Sequence, residues 1–132
     1  MVRTYFSRLF ITIARLGYSA PQRARLYRKL ATLMHNGKQL QASVENLQKR
    51  AARRSKTDIE AIVLGEVLQD LRQGNSFSLA VRHFASVSER MILEAGEGSG
   101  DLPHSLQLAA DILHTSSQMK TKVIAAVISP VF

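Results

Sequence analysis

The chain has 132 residues and 45% hydrophobic residues, which suits one folded domain with a modest core and argues against a disordered protein. It contains no cysteine, which excludes disulfides, thiolate metal sites and a cysteine nucleophile. The net charge of +8 is uneven, with +12 on residues 1–56 and −4 on residues 57–132, and this asymmetry indicates an anionic partner: lipid headgroups, an acidic protein or a nucleic acid.

Residues 1–17 form an amphipathic segment. Its apolar side chains at helical spacing are Phe6, Leu9, Phe10 and Ile13. Arg8 and Arg15 lie on the opposite face and interrupt the apolar run, so the segment is not a secretory signal peptide. We expect its apolar face to contact a membrane or another protein.

Two further helices follow in the basic half of the chain. Ser19 and Pro21 predict the start of the first, as cap and first-turn proline, and Asn36-Gly37 predicts its end. The second is predicted from Leu40 to Ala52. A basic stretch follows, and its candidate contacts for an acidic protein or an anionic lipid are Arg50, Arg53, Arg54 and Lys56.

The middle of the chain predicts two helices. Thr57 and Glu60 have the spacing of a capping box, which opens an apolar helix that ends at Gly74-Asn75. A short helix is predicted around Phe77 to Phe84.

The last part of the chain predicts two helices joined by a glycine-rich corner. Ser86 and Glu89 form a second capping box, and the three glycines in Gly96–Gly100 predict a tight turn between helices. Asp101 then caps the last helix, which we expect to continue into the uncharged run 123–132 as the beginning of a transmembrane helix.

Two stretches, Arg25–Leu40 and Gly96–Leu102, together with Leu71, Gly74 and the run Ser76–Ala80, carry a family pattern in their order and spacing. The chain resembles the type II secretion system F domain over roughly residues 21–132. The residues of the family motif in the corner are Gly96, Glu97, Gly98, Ser99, Gly100 and Leu102. That domain occurs twice in the inner-membrane platform proteins of type IV pilus and type II secretion machines, and only one copy is present here.

The resemblance implies an all-α bundle of about six antiparallel helices on the cytoplasmic side, over residues 18–122, followed by a membrane helix. It implies no catalysis and no cofactor. The implied partners are a cytoplasmic assembly ATPase, other inner-membrane components, pilin and a second copy of the chain. Lys120 and Lys122 beside the apolar run agree with the cytoplasmic placement, because positive charges favour that side of the membrane.

Metal and enzyme sites are poorly supported by the sequence. Glu94, Glu97 and Asp101 are a candidate weak cation site, although glycine-rich corners usually serve chain geometry. The set His104, Asp111 and His114 has helical spacing, but the apolar residues of the same helix lie opposite, so these side chains are expected to face solvent. No phosphate-binding loop or nucleophile motif is present.

Nucleic-acid binding is the alternative function. The cations that resemble a phosphate-contacting surface are Arg23, Arg25, Arg28 and Lys29. Aromatic residues are few and scattered, so no base-stacking platform is predicted. The hypothesis of a platform-protein domain is therefore favoured over nucleic-acid binding, and no nucleic acid is expected among the partners.

Overall fold

The computed structural model of the protein describes residues 8, 9, 12, 17–55 and 58–128, with side chains as far as residue 115. From residue 17 onward the described residues form six helices: α1 (Ala20–His35), α2 (Leu40–Arg54), α3 (Ile59–Arg72), α4 (Phe77–Ala80), α5 (Val87–Ser99) and α6 (Leu102–Ile128). Residues 8, 9 and 12 are also helical. None of the described residues is in a strand. The prediction of an all-α helical bundle is confirmed.

The helices enclose one apolar core. Helix α1 packs along α6, α2 packs on α3, α5 packs on α6, and the short α4 contacts both α3 and α5. The largest apolar side chains that are fully buried are Leu26, Tyr27, Leu30, Val44, Val63, Leu64, Val67, Phe77, Val81, Leu93 and Leu106. The rings of Tyr27 and Phe77 meet edge to face with their centroids 6.3 Å apart, which joins α1 to α4 at the centre.

Two of the predicted helix starts are confirmed. At α1 the Ser19 N–H donates to Gln22 Oε1 over 2.9 Å, and Pro21 lies in the first turn. At α5 the Ser86 N–H donates to Glu89 Oε1, and the Glu89 N–H donates to Ser86 Oγ. Both starts follow from local sequence, because each cap satisfies backbone donors within three residues.

Three boundaries differ from the prediction. Asp58, and not Thr57, caps α3, and its carboxylate accepts the Glu60 N–H over 2.8 Å; Thr57 lies outside the described residues. Helix α2 continues through Arg54, because the Ser55 N–H still reaches the Ala51 carbonyl. Helix α4 stops at Ala80 and is followed by turns, in which the N–H groups of Arg82 and Phe84 bond to carbonyls only three residues back.

The prediction that Gly96–Gly100 forms a turn is wrong for all but the last residue. Residues 96–99 are the end of α5, and only Gly100 is left-handed, with φ 77°. Gly96 is needed for packing: a Cβ there would overlap the Cβ and Oγ of Ser105 on α6. Here tertiary contact between helices, and not chain reversal, explains the glycine.

Glu97, in the last turn of α5, bonds to the start of α4. Its two carboxylate oxygens accept the N–H groups of Phe77 and Ser78 over 2.8 and 2.9 Å. These are unpaired donors at the start of α4, where a negative charge is favourable. The carboxylate therefore fastens α4 to α5 across the bundle.

Candidate functional site

A groove lies between α1 and the C-terminal half of α2. Its cavity has a volume of about 420 Å³ and is lined by Arg28, Lys29, Thr32, Leu33, Leu47, Arg50, Arg54 and Glu60. A second depression of about 360 Å³ shares Lys29, Arg54 and Glu60 with it and extends to Arg25 and Asp58. We call the first cavity the basic groove.

Helical periodicity places these side chains. In α1 the residues Leu26, Tyr27 and Leu30 are buried, so Arg28, Lys29 and Thr32 lie on the outer side of the helix. In α2 the buried apolar residues are Val44, Leu47 and Ala51, and Arg50 and Arg54 lie four residues apart beside them. The basic side chains of α1 therefore face those of α2 across the groove, and Leu33 and Leu47 lie between them.

The groove and its extension carry an excess of positive charge. Their cations are Arg25, Arg28, Lys29, Arg50 and Arg54, against the two acids Asp58 and Glu60. Asp58 is occupied as the cap of α3. Glu60 accepts a hydrogen bond from Arg54 over 3.0 Å. Among the described residues no carboxylate pairs with Lys29 or Arg50, so this surface is complementary to an anionic partner.

The residues proposed from the basic stretch divide into three groups. Arg50 and Arg54 line the basic groove. Arg53 is exposed on the same helix but does not line it, and Lys56 lies outside the described residues. Sequence patterns missed the apolar part of the site, because Leu33 and Leu47 read only as core positions.

Of the apolar N-terminal set only Leu9 is described. It is half exposed, with 50% of its surface accessible. Phe6, Phe10 and Ile13 lie outside the described residues. The contact role of this segment stays a prediction.

Arg23 does not belong to the basic surface on which the sequence placed it. Its Nη2 lies 2.7 Å from Glu89 Oε1, with side-chain exposures of 13% for Arg23 and 1% for Glu89. Its Nη1 donates to the Tyr18 carbonyl over 3.0 Å. The cation is therefore committed to a partner on α5 and is not available to a phosphate.

Tyr27 completes this buried network, since its hydroxyl donates to Glu89 Oε2 over 2.7 Å. Burial and the adjacent Glu89 carboxylate raise the pKa of Tyr27 well above its ordinary value. Burial opposes the charge of Arg23, but the hydrogen bonds and charge of Glu89 outweigh it, and the pKa of Arg23 is raised. The network joins α1 to the start of α5.

The candidate cation site and the histidine set are not assembled. Both oxygens of Glu97 accept backbone N–H groups, while Glu94 and Asp101 are exposed. His104, Asp111 and His114 face solvent, as their helical phase predicts. In the described part of the chain no three His, Cys, Asp or Glu side chains are grouped to hold a metal ion.

The family model "Type II secretion system (T2SS), protein F" matches residues 26–132, which is most of the chain and includes α1 to α6 almost entirely. The chain belongs to this family. It is accordingly a domain of the inner-membrane platform proteins of type II secretion and pilus biogenesis, a family of non-enzymatic domains. A comparison with curated proteins found no match.

The described helices of this family member include none that is both long and apolar enough to cross a membrane. The basic groove lies on α1 and α2, within the matched range.

Proposed function

We propose that the chain is a cytoplasmic, non-catalytic scaffold that couples an assembly ATPase to pilus biogenesis or type II secretion. The platform family supports the setting. The coupling role depends on one observation, which is that α6 is a single uninterrupted helix from Leu102 to Ile128.

Helix α6 links the bundle to an apolar end. Its first part is held in the core by Leu106, Ala109 and Leu113, and from Val123 onward the sequence has no charge as far as Phe132. The helix is about 40 Å long at about 1.5 Å per residue. In this proposal residues 123–132 enter the inner membrane, and α6 carries movements of the bundle to the membrane-embedded part of the machine.

The proposed contacts follow from charge and exposure. The basic residues Arg50, Arg53, Arg54 and Lys56 would bind an acidic surface of the ATPase or anionic lipid. The N-terminal segment would bind the membrane or other inner-membrane components through Phe6, Leu9, Phe10 and Ile13. Pilin and a second copy of the chain, in a dimer, are the remaining proposed partners.

Nucleic-acid binding is less well supported than this role. Arg23, one of its four candidate cations, is paired with Glu89 inside the bundle. Arg28 lies 3.5 Å from Asp111, so a second of the four already has an acidic neighbour.

The experiment interrupts α6 in the full-length platform protein. Seven glycines are inserted after Thr115, and the matched control is an Ala-rich helical insert of the same length, which makes about two turns. If α6 transmits force, the glycine insert abolishes piliation or secretion while capture of the purified assembly ATPase persists, and the helical insert retains most of the activity.

Wild-type assembly by the glycine variant would contradict the coupling role. Failure of the intact protein to bind the assembly ATPase would contradict the choice of partner.

A further inference from the structure

The basic groove combines an apolar floor with a cationic rim. Leu33 and Leu47 form the floor, and Lys29 and Arg50 flank it as exposed cations without a carboxylate partner among the described residues. A small anion such as phosphate would leave the floor uncovered. A purely apolar segment would leave the rim unpaired.

Glu60 shows that a carboxylate can bind to the cationic rim of the groove. Its carboxylate lies 3.0 Å from Arg54 Nη2. Glu60 is the one acidic residue among those that line the cavity. Among the described residues Lys29 and Arg50 have no such partner, and each could donate hydrogen bonds to a further carboxylate. The groove is therefore incompletely neutralised by its own chain.

The position of the groove indicates whether its partner is a protein or a membrane surface. Arg28 lies 3.5 Å from Asp111, while Pro21 and Ala24 line a depression with Leu113, so α1 runs antiparallel to α6. Val123 is twelve residues beyond Asp111 along α6, or about 18 Å at about 1.5 Å per residue. The groove extends from Arg28 in the opposite direction.

A surface so far from the apolar run is poorly placed for lipid headgroups. Exposed charges are largely screened beyond about 8 Å at physiological ionic strength. The distance thus favours a partner that approaches from the side away from the membrane. This step rests on the proposed function, which places residues 123–132 in the membrane.

We propose that the basic groove binds an acidic segment of a partner protein. One apolar side chain of that segment covers Leu33 and Leu47, and flanking carboxylates pair with Lys29 and Arg50. This deepens the proposed function by naming the chemistry of the segment that the scaffold receives.

The test measures binding of short fluorescein-labelled peptides to the 132-residue chain by fluorescence anisotropy. The probe is a Glu-rich peptide with one central Leu, and its controls replace that Leu by Ser or every Glu by Gln. The groove variant is K29Q/R50Q, and the matched control is K38Q/R72Q, which also removes one Lys and one Arg but from exposed positions outside the groove.

We expect K29Q/R50Q to bind the Glu-rich peptide about tenfold more weakly than wild type, whereas K38Q/R72Q should lose little affinity. Both control peptides should bind more weakly than the probe, and the Glu-dependent part should fade with salt. Circular dichroism verifies that both variants remain folded.

Equal losses in the two variants would overturn the proposal, because they would indicate general charge attraction. It would also be overturned if the probe does not bind, or if phosphatidylglycerol vesicles or duplex DNA bind with the same groove dependence and the probe does not. None of these results affects the outcome of the glycine insertion in α6, so the two proposals can fail separately.

Discussion

The Arg23 guanidinium and the Glu89 carboxylate form a buried ion pair across 66 positions of sequence, with Nε 3.0 Å from Oε2 and Nη2 2.7 Å from Oε1. The Glu89 carboxylate accepts hydrogen bonds from three residues, because the Tyr27 hydroxyl and the Ser86 N–H also donate to it. The capping carboxylate of α5 is therefore the same group that fixes α1 against it.

Removing Arg23 should destabilise the bundle strongly. In R23M, Glu89 would remain buried without its cation, which typically costs about 3 kcal/mol or more in free energy of unfolding. The measurement is urea denaturation followed by circular dichroism. R25M, an exposed change on the same helix, is the control and should fall within about 0.5 kcal/mol of wild type.

The double variant R23M/E89Q tests the cause. A neutral Gln still accepts from Tyr27, so this variant should be more stable than R23M alone. If R23M is as stable as R25M, the pair does not hold the fold.

Stability should fall at alkaline pH because of the buried tyrosines. Burial, and for Tyr27 also the Glu89 carboxylate, raises the pKa of Tyr18 and Tyr27 above their ordinary value of 10.0. A raised folded-state pKa gives stability that is complete below pH 10.0 and decreases above it, as the unfolded chain ionises first. Each such group contributes up to about 1.4 kcal/mol per pH unit.

The measurement is the midpoint of urea denaturation between neutral pH and pH about 11. Y27F should flatten the alkaline decrease relative to its own neutral stability, since Phe cannot ionise. Tyrosinate absorbance that rises fully before unfolding would contradict the burial of Tyr18 and Tyr27.

Local sequence predicted the helices better than it predicted the contacts between them. Ser19 and Ser86 cap as expected, because each cap involves residues within one turn. Arg23 was misplaced because its partner Glu89 is distant in sequence, and no periodicity marks a cation as buried. The basic groove needed the structure for the same reason, since its basic side chains come from two helices.

The glycines near the end of α5 should differ sharply in their tolerance of alanine. A Cβ at Gly96 overlaps Ser105, whereas a Cβ at Gly98 meets nothing within 4 Å. G96A should lower the free energy of unfolding by about 2 kcal/mol through overpacking. G98A should raise it by about 0.5 kcal/mol, because alanine favours the helix.

A second substitution at Ser105 tests whether steric overlap causes the loss of stability in G96A. S105G removes the Ser105 atoms that the new methyl group meets, so G96A/S105G should be more stable than the sum of the two single changes predicts. Thermal and urea denaturation of wild type, G96A, S105G and G96A/S105G measure this coupling. Additive effects would mean that the helices do not approach closely at Gly96.

The last prediction concerns the basic residues Arg50, Arg53, Arg54 and Lys56. Replacing all four with Gln should change the free energy of unfolding little, because the three that are described are exposed and surface changes usually stay within about 0.5 kcal/mol each. Arg54 loses its 3.0 Å contact with Glu60, but it is 60% exposed and solvent screens the pair. The melting temperature should therefore remain near that of wild type, while binding to the purified assembly ATPase weakens most at low ionic strength, where charge attraction is strongest. R72Q, a change at another exposed helix end, controls for loss of charge without loss of this surface. Unchanged ATPase binding by the fourfold variant, or tight duplex DNA binding by wild type that the variant loses with a steep salt dependence, would contradict the assignment of this surface to a protein partner.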